Sequence, residues 1–374
     1  MRVASEKPGL LEPSPGSPAA SGYRMPAEWE PHRSTWLVWP HNRRDWESKK
    51  SAIDWCYVEI IRHLIDGEGV CVLFQSREIE TRACERLRRA GIDPGCIDRY
   101  CIRTNRSWIR DSGPIFVARP PNFAGSSIAI TSWRFNGWAR YRSWHYDNRV
   151  PNEIARRLKR TCFGVKQRTA SGTLPVVLEG GSIDVNGRGL LLTTEECLLG
   201  ARQARNPGLT CAEIEQSLCD YLNARKIYWL GQGILGDDTH GHVDDVARFV
   251  APDVIVAASE ADTNDENHWR LKDNLTRLKY LRTLRGKTID VIEVPMPQPI
   301  FFEGKRLPAS YLNFYIGNRR VLVPTFNDPN DRIALNKFSK LFPDREIVGI
   351  HAVDLVLGLG TIHCLTQQEP AETN

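Results

Sequence analysis

Five times along this chain an amphipathic helical pattern is followed by a short β-rich run, and this alternation restricts the fold more than any other feature. The pairs are Ile53 to Ile65 with Val70 to Phe74, Glu78 to Ala90 with Tyr100 to Arg103, and Cys211 to Asn223 with Ile227 to Leu230. Asn267 to Leu284 with Ile289 to Val294, and Asp331 to Leu341 with Ile347 to Ile350, complete the series. A 3.6-residue apolar period giving way to short β-branched runs specifies an α/β architecture. Extra strands are expected at Ser127 to Phe135, at Val176 to Leu178 with Gly189 to Leu192, and at Phe314 to Ile316 with Val321 to Val323. The turns Asn186-Gly187-Arg188-Gly189 and Gly317-Asn318-Arg319-Arg320 fit hairpins, the former through the Asn-Gly pair that a type I′ turn favours. A unit of strands plus one helix, repeated about five times, suits a propeller of modules, but periodicity alone leaves an ordinary doubly wound sheet open.

Composition narrows the function. A chain of 374 residues with 41% hydrophobic and 25% charged residues has the makeup of a globular enzyme with a large core. Its net charge is only +5, and the basic run Arg156-Arg157-Leu158-Lys159-Arg160 reads as the polar face of a helix, so nucleic acid is not an expected partner. No stretch reaches the apolar length of a membrane span. Residues 1–24 are rich in Pro, Ser and Gly without a hydrophobic signal core, and are expected to form a disordered leader on a cytoplasmic protein. One catalytic domain is then expected over 25–370, with a short tail over 371–374. Ten irregularly spaced cysteines without a Cys-x-x-Cys pair describe neither a disulfide framework nor a zinc cluster.

Cys364 is different in kind. It stands in Gly358-Leu359-Gly360-Thr361-Ile362-His363-Cys364-Leu365, where flanking small and polar residues place it like an exposed nucleophile on a glycine loop rather than as core filling. Gly358 and Gly360 read as the residues that let this loop turn. Three other segments break apolar strands with acids or histidine. In Trp108-Ile109-Arg110-Asp111-Ser112-Gly113-Pro114, Asp111 is an acid or only a turn cap, Trp108 an aromatic wall or core, and Arg110 a structural ion pair. Glu179 ends the apolar run Leu174 to Leu178 and heads inward, where a buried acid wants a cation. His242 and Asp244 share one face at the β period with His240, either as a base beside a carboxylate or as a metal site of His-x-His-x-Asp type. The further ligands such a metal would need, His268, His351 or His363, lack the spacing of metal hydrolases. Cys197 reads as packing. One thiol, one imidazole and three carboxylates suit nucleophilic attack on a cationic carbon, and a planar guanidinium with its fork of N–H donors is the cation that paired carboxylates grip best.

These segments, with Met25-Pro26-Ala27-Glu28-Trp29, Thr193-Thr194-Glu195-Glu196-Cys197-Leu198-Leu199, Arg205-Asn206-Pro207, Pro324-Thr325-Phe326-Asn327-Asp328 and His363-Cys364-Leu365-Thr366-Gln367-Gln368, carry a resemblance. In order from Met25 to Pro370, they resemble the agmatine deiminase branch of the bacterial peptidyl-arginine deiminase-type family. The chain departs from the usual family pattern at Leu359, Thr361 and His240. The resemblance implies the pentein fold, a five-bladed α/β propeller of pseudo-symmetric ββαβ modules, and hydrolysis of a guanidinium to a urea and ammonia without cofactor or metal. It implies Cys364 as nucleophile, His242 as acid and base oriented by Glu179, and Asp111 and Asp244 as the carboxylates that share the cation's charge. Trp108, Gly360 and Asp238 would contact the substrate, Asp238 meeting the distal amine of agmatine unless it only caps the turn Gly236 to Thr239. The partner expected is a small cationic guanidino compound, with room for a homodimer. Peptidyl or free arginine is the alternative substrate, the latter needing a cationic clamp for its carboxylate.

Overall fold

In the computed structural model, which describes residues 9–120, 126–170 and 172–372, five principal sheets repeat one design. Two antiparallel strands are followed by a helix, which returns the chain to a third strand lying parallel beside the second. The first module has His32–Val38, the helix Lys50–Leu64 and Gly69–Phe74, extended by the helix Arg77–Arg89 and the strand Ile97–Cys101. Its antiparallel partner comes from the other end of the chain, Gln367–Pro370. The second module is Ile115–Ala118, Ile128–Ser132, the helix Val150–Leu158 and Thr161–Gly164. The third is Asp184–Val185, Leu190–Thr194, the helix Cys211–Leu222 and Lys226–Leu230. The fourth is Ala247–Ala251, Val254–Ser259, the helix Glu266–Leu278 and Asp290–Pro295. The fifth is Tyr315–Ile316, Arg320–Thr325, the helix Pro329–Leu341 and Glu346–His351.

Local chemistry sets these limits. Thr210 and Glu213 form a reciprocal capping box that starts Cys211–Leu222, and Asn223 ends it in the left-handed region at φ 60°. Asp328 and Asp331 do the same for Pro329–Leu341, with proline in the first turn.

Several sequence expectations are corrected. The five modules are not the five helix–strand pairs read from periodicity: Arg77–Arg89 with Ile97–Cys101 extends the first sheet, while Val150–Leu158 with Thr161–Gly164 is a module helix and strand that the series lacked. The Asn186-Gly187 hairpin joins Leu190–Thr194 to Asp184–Val185 rather than to Val176 to Leu178, which makes only a bridge from Val177 to Arg134. The helix expected to reach Leu284 stops at Leu278, because Thr283 and Gly286 turn the chain through hydrogen bonds with Lys287 and Thr283. The leader is ordered from residue 9 on. Leu11 N–H bonds Arg225 O at 2.9 Å, Ser14 N–H bonds Asp220 at 2.7 Å, and Tyr23 is buried against the core beside Met25. Apolar side chains among the prolines supply the burial that composition alone did not register. Residues 1–8 of the expected leader and 373–374 of the tail lie outside the described residues.

What positions the site is the entry to each module. The one-turn segments Ile109–Ser112, Gly180–Ser182, Val243–Asp245 and Ile362–Leu365 each end with at most two residues between them and the first strand of a module, and Asn313 stands in the same place before Tyr315–Ile316. Buried charges link these entries. Glu28 lies 3.2 Å from Arg110, 3.0 Å from Arg248 and 2.8 Å from His363, and accepts the Ile316 N–H at 2.9 Å. Arg248 on the fourth module also binds Asp184 of the third at 2.5 Å and the carbonyls of Leu312 and Phe314 leading into the fifth. A buried charge left unpaired is costly, so these contacts fix how neighbouring modules meet.

Candidate active site

The five module entries bring their polar side chains together. Cys364 sits in the turn Ile362–Leu365, and it is only 6% exposed. The exposed loop nucleophile expected from sequence is therefore a buried thiol on a helical turn. Asn313 holds that turn: its Oδ1 accepts from the Thr361 hydroxyl at 2.8 Å and from the amides of Thr361, His363 and Cys364, while its Nδ2 donates to Sγ at 3.2 Å. Gly358 and Gly360 serve close approach rather than turning. A Cβ on Gly360 would stand 3.0 Å from Trp108 and 3.2 Å from Sγ, and one on Gly358 would stand 2.5 Å from Trp46, whereas the left-handed residue is Leu359 at φ 68°.

The acids ring the thiol. Asp244 Oδ2 lies 3.8 Å from Sγ and 2.7 Å from His363 Nδ1, while its Oδ1 is buried without a hydrogen-bond partner among the described residues. Asp111 accepts from Trp138 Nε1 at 2.8 Å and from the Gly181 N–H at 3.0 Å. His242 is buried between Asp111, 3.8 Å from its Nδ1, and Glu179, 3.6 Å from its Nε2. Both ring nitrogens lack hydrogen-bond partners among the described residues. Glu179 is itself pinned by Arg205 Nε at 3.1 Å, a pair with no exposure at all, and Arg205 also donates to Thr239 O. Gly181 is the gap in the middle: a Cβ there would lie 2.7 Å from His242 Nδ1, 2.9 Å from Asp111 Oδ1 and 3.0 Å from Asp244 Oδ2.

Electrostatics follow from this crowding. Burial, then Asp244, Asp245 and Asp111, push the Cys364 thiol well above its usual range, so it carries its proton when the site is empty. Burial opposes charge on His242, but Asp111, Cys197 and Glu179 outweigh it and hold the imidazole protonated well above the usual histidine range. Burial raises Asp111 to about 6, with Asp244 and Glu179 adding and His242 opposing. Asp244 and Glu179 go the other way: burial opposes their charge, yet His363 for the first and Arg205 for the second keep both below the normal carboxylate range. Beside a protonated imidazole and a neutral thiol, Asp244 Oδ1 is the carboxylate oxygen of this cluster left without a partner among the described residues, which favours a cationic ligand.

A cavity of ≈ 260 Å³ leads to it, with Cys364, Asp111, Trp108 and Gly360 at the reactive end. Trp108 lines this wall, stacked obliquely on Trp46 at 5.0 Å. Tyr141, Asp238, Asp45 and Arg106 also line it. The turn Gly236 to Thr239 is capped by Asp237, which accepts from Thr239, Gly241 and His242 amides, while Asp238 faces the cavity and takes the Tyr141 hydroxyl at 2.5 Å.

Of the residues singled out in sequence, Cys364, Asp111, Asp244, His242 and Glu179 come together, and Trp108, Gly360 and Asp238 line the approach. Arg110 is an ion pair with Glu28. The group His240, His242 and Asp244 is not assembled as ligands: the chain there is a turn and a short 3-10 segment, not a strand, and His240 points to Glu196 at 3.7 Å. Among the described residues, the three-ligand cluster with metal spacing is instead Glu179, Cys197 and His242. Sequence reasoning missed His363, Asn313, Glu28, Asp245 and Arg205. Glu28 and Arg205 lay in motifs already marked, and His363 adjoined the nucleophile, but only the fold shows what each one touches.

A buried thiol, an imidazolium and paired carboxylates on a five-module ring define a guanidino-group-modifying site of the pentein fold. A family profile for the Porphyromonas-type peptidyl-arginine deiminases matches residues 24–370, and the chain belongs to that family, which places it among the hydrolases of carbon–nitrogen bonds in linear amidines. It is 35% identical over 378 residues to the agmatine deiminase of Pseudomonas aeruginosa strain LESB58, covering 95% of this chain and 97% of that one. The solved agmatine deiminase of Enterococcus faecalis superposes with a TM-score of 0.85 at 33% identity, covering 97% of this chain and all of the other. A C. jejuni agmatine deiminase solved as a cysteine-to-serine variant with substrate bound superposes with a TM-score of 0.81 at 28% identity, over 94% of this chain and 97% of that one. No helix among the described residues is long and apolar enough to cross a membrane.

Proposed function

We propose that this protein hydrolyses agmatine to N-carbamoylputrescine and ammonia through a covalent intermediate on Cys364. The observation that carries the reading is the buried, unpaired Asp244 Oδ1 in the cluster around the protonated Cys364 thiol, which with Asp111 and Asp238 lines one cavity. A guanidinium seated between Asp111 and Asp244 supplies the missing positive charge, which lowers the thiol's pKa and releases its proton to solvent. The thiolate then adds to the guanidinium carbon. His242, held by Glu179 and Asp111, gives its proton to the departing nitrogen, which leaves as ammonia while the carbon stays on sulfur as a cationic thiouronium. Neutral His242 takes a proton from water as its oxygen adds to that carbon. Collapse expels the Cys364 thiolate and leaves the ureido product, whose surplus proton passes to solvent. Asp111 and Asp244 keep the carbon's substituents in place throughout and stabilise the charge that moves over them. The relatives named as agmatine deiminases, matched over nearly their whole length, support agmatine as the substrate.

The test is acid quenching of enzyme mixed with agmatine, followed by intact-mass spectrometry. An adduct of agmatine minus ammonia on the Cys364 peptide, with Cys364→Ser giving neither adduct nor ammonia, is the expected result. Turnover by Cys364→Ser near the wild-type rate would rule the covalent route out.

A further inference from the structure

A thiolate at Cys364 has acids for neighbours. Asp244, Asp245 and Asp111 all face the sulfur and oppose negative charge there. Among the described residues one N–H is donated to Sγ, that of Asn313 Nδ2 at 3.2 Å, while the thiol's own proton is directed at Asp244 Oδ2, 3.8 Å away. The amide is neutral, but an N–H aimed at a forming anion makes a charge-assisted bond of about twice the ordinary strength.

That amide cannot turn away. Its Oδ1 accepts from the Thr361 hydroxyl at 2.8 Å and from the amides of Thr361, His363 and Cys364 at 3.3, 3.1 and 3.3 Å. Exchanging oxygen and nitrogen would set an NH2 group against four donors and leave a carbonyl oxygen facing the sulfur, so the network fixes which end meets Sγ. The backbone is held as well. The His363 N–H reaches Asn313 O at 3.0 Å, and the carbonyls on either side, of Leu312 and Phe314, both accept from the fully buried Arg248 guanidinium. Asn313 is itself buried, which keeps bulk solvent from competing for its N–H. A donor fixed before charge develops costs no reorganisation when it does.

We propose that Asn313 is a catalytic residue, a preset N–H donor that stabilises negative charge on the Cys364 sulfur both as the thiolate forms to attack and as it is expelled at collapse. Its place in turnover rests on the covalent reading above, whereas its hold on the sulfur does not. Asn313 transfers no atom: its N–H stays intact, and the hydrogen bond tightens as sulfur gains charge and slackens as the S–C bond forms. Holding the turn and stabilising the charge are separable because they use opposite ends of one amide. Aspartate at this position keeps an oxygen for the four turn donors, which favour its ionised form, and presents an acceptor to the sulfur in place of the donor.

The test is a double-mutant cycle on Asn313→Asp and Thr361→Val. It is read by the rate at which chloroacetamide, a neutral reagent, alkylates the Cys364 peptide at pH 7, and by ammonia release from agmatine. Asn313→Asp should slow alkylation by at least roughly ten- to a hundredfold, the size of one hydrogen bond to a charged group, and ammonia release by no less, with a melting temperature near that of wild type. A carboxylate also repels the thiolate through its charge, and Thr361→Val separates the two effects. It adds no charge and removes the shortest bond that aims the amide, so it should slow alkylation severalfold in the native background and not at all in Asn313→Asp. Equal slowing by Thr361→Val in both backgrounds, or in neither, would overturn the proposal, as would alkylation of Asn313→Asp at the wild-type rate; agmatine turnover by wild type would in those cases leave the deiminase reading standing. If Asn313→Asp does not fold, Thr361→Val decides alone: an unchanged alkylation rate overturns the proposal, and slowing at an unchanged melting temperature upholds it. The expected alkylation pattern, with no ammonia from agmatine even in wild type, would uphold the donor and refute the deiminase reading.

Discussion

Replacing Asp244 by asparagine should alter the reactivity of Cys364 toward two alkylating reagents of equal size in different ways. Chloroacetamide is neutral, while chloroacetamidine carries the planar cation that the acids are arranged to receive. In the native site a thiolate would stand 3.8 Å from Asp244 Oδ2. At an effective dielectric constant near 20 that repulsion is about 4 kcal/mol, or about three decades in thiolate population at fixed pH. His363, 2.7 Å from the same oxygen, offsets part of it, so alkylation by the neutral reagent should speed up by about tenfold to a thousandfold at pH 7. The cationic reagent loses the carboxylate that seats it, so its advantage over the neutral one should collapse by about a hundredfold or more. The assay is the second-order rate of modification of the Cys364 peptide at pH 7, since Cys96 and Cys211 are exposed and react on their own account. An unchanged or slower rate with chloroacetamide, in a variant that melts as wild type does, would refute the view that Asp244 keeps the thiol protonated.

Gly181→Ala would set a methyl group within 3.0 Å of His242, Asp111 and Asp244, so agmatine turnover should fall below detection while the melting temperature shifts little. Asp111, raised to about 6, is ionised above that pH and neutral below it, so kcat/KM should fall about tenfold per pH unit on the acid side, and Asp111→Asn should lower the plateau and lose that limb. Arg205→Met leaves Glu179 buried with His242 as its remaining cationic partner, which should cost up to about 3–5 kcal/mol in denaturant unfolding, and adding Glu179→Gln should recover most of it. Dialysis against a strong chelator should leave activity intact; loss restored by zinc would instead put a working metal at Glu179, Cys197 and His242.

The sequence made the α/β alternation legible because amphipathic helices are long and periodic, whereas strands of two residues such as Tyr315–Ile316 leave almost no pattern. Cys364, His242, Glu179, Asp111 and Asp244 were visible because each interrupts apolar sequence with a group that burial penalises unless it has work or a partner. The burial of Cys364 was not visible, since the side chains that cover it come from Asn313 and Trp108, far away along the chain. Nor was the difference between Asp237 and Asp238, neighbours of one chemical type, one of which caps a turn while the other faces the cavity. Arg106 was one of fifty basic residues until the fold set it in the lining of the cavity that Cys364 also lines.

The closing of the first sheet by Gln367–Pro370 has a bearing on how the protein is made. Cys364 lies just ahead of that strand, while the strand's partner, His32–Val38, is synthesised hundreds of residues earlier. As the ribosome works, Asp111, Glu179, Asp244 and His242 are already in hand without the Cys364 thiol, and the edge of the first sheet stands open. A ring sealed by its two ends is slow to finish, since the longest loop must close last. A nascent chain thus lacks both the Cys364 thiol and the strand beside it until its last residues are made. A protein trimmed of Gln367–Pro370 should keep most of its helices and yet never acquire a reactive thiol.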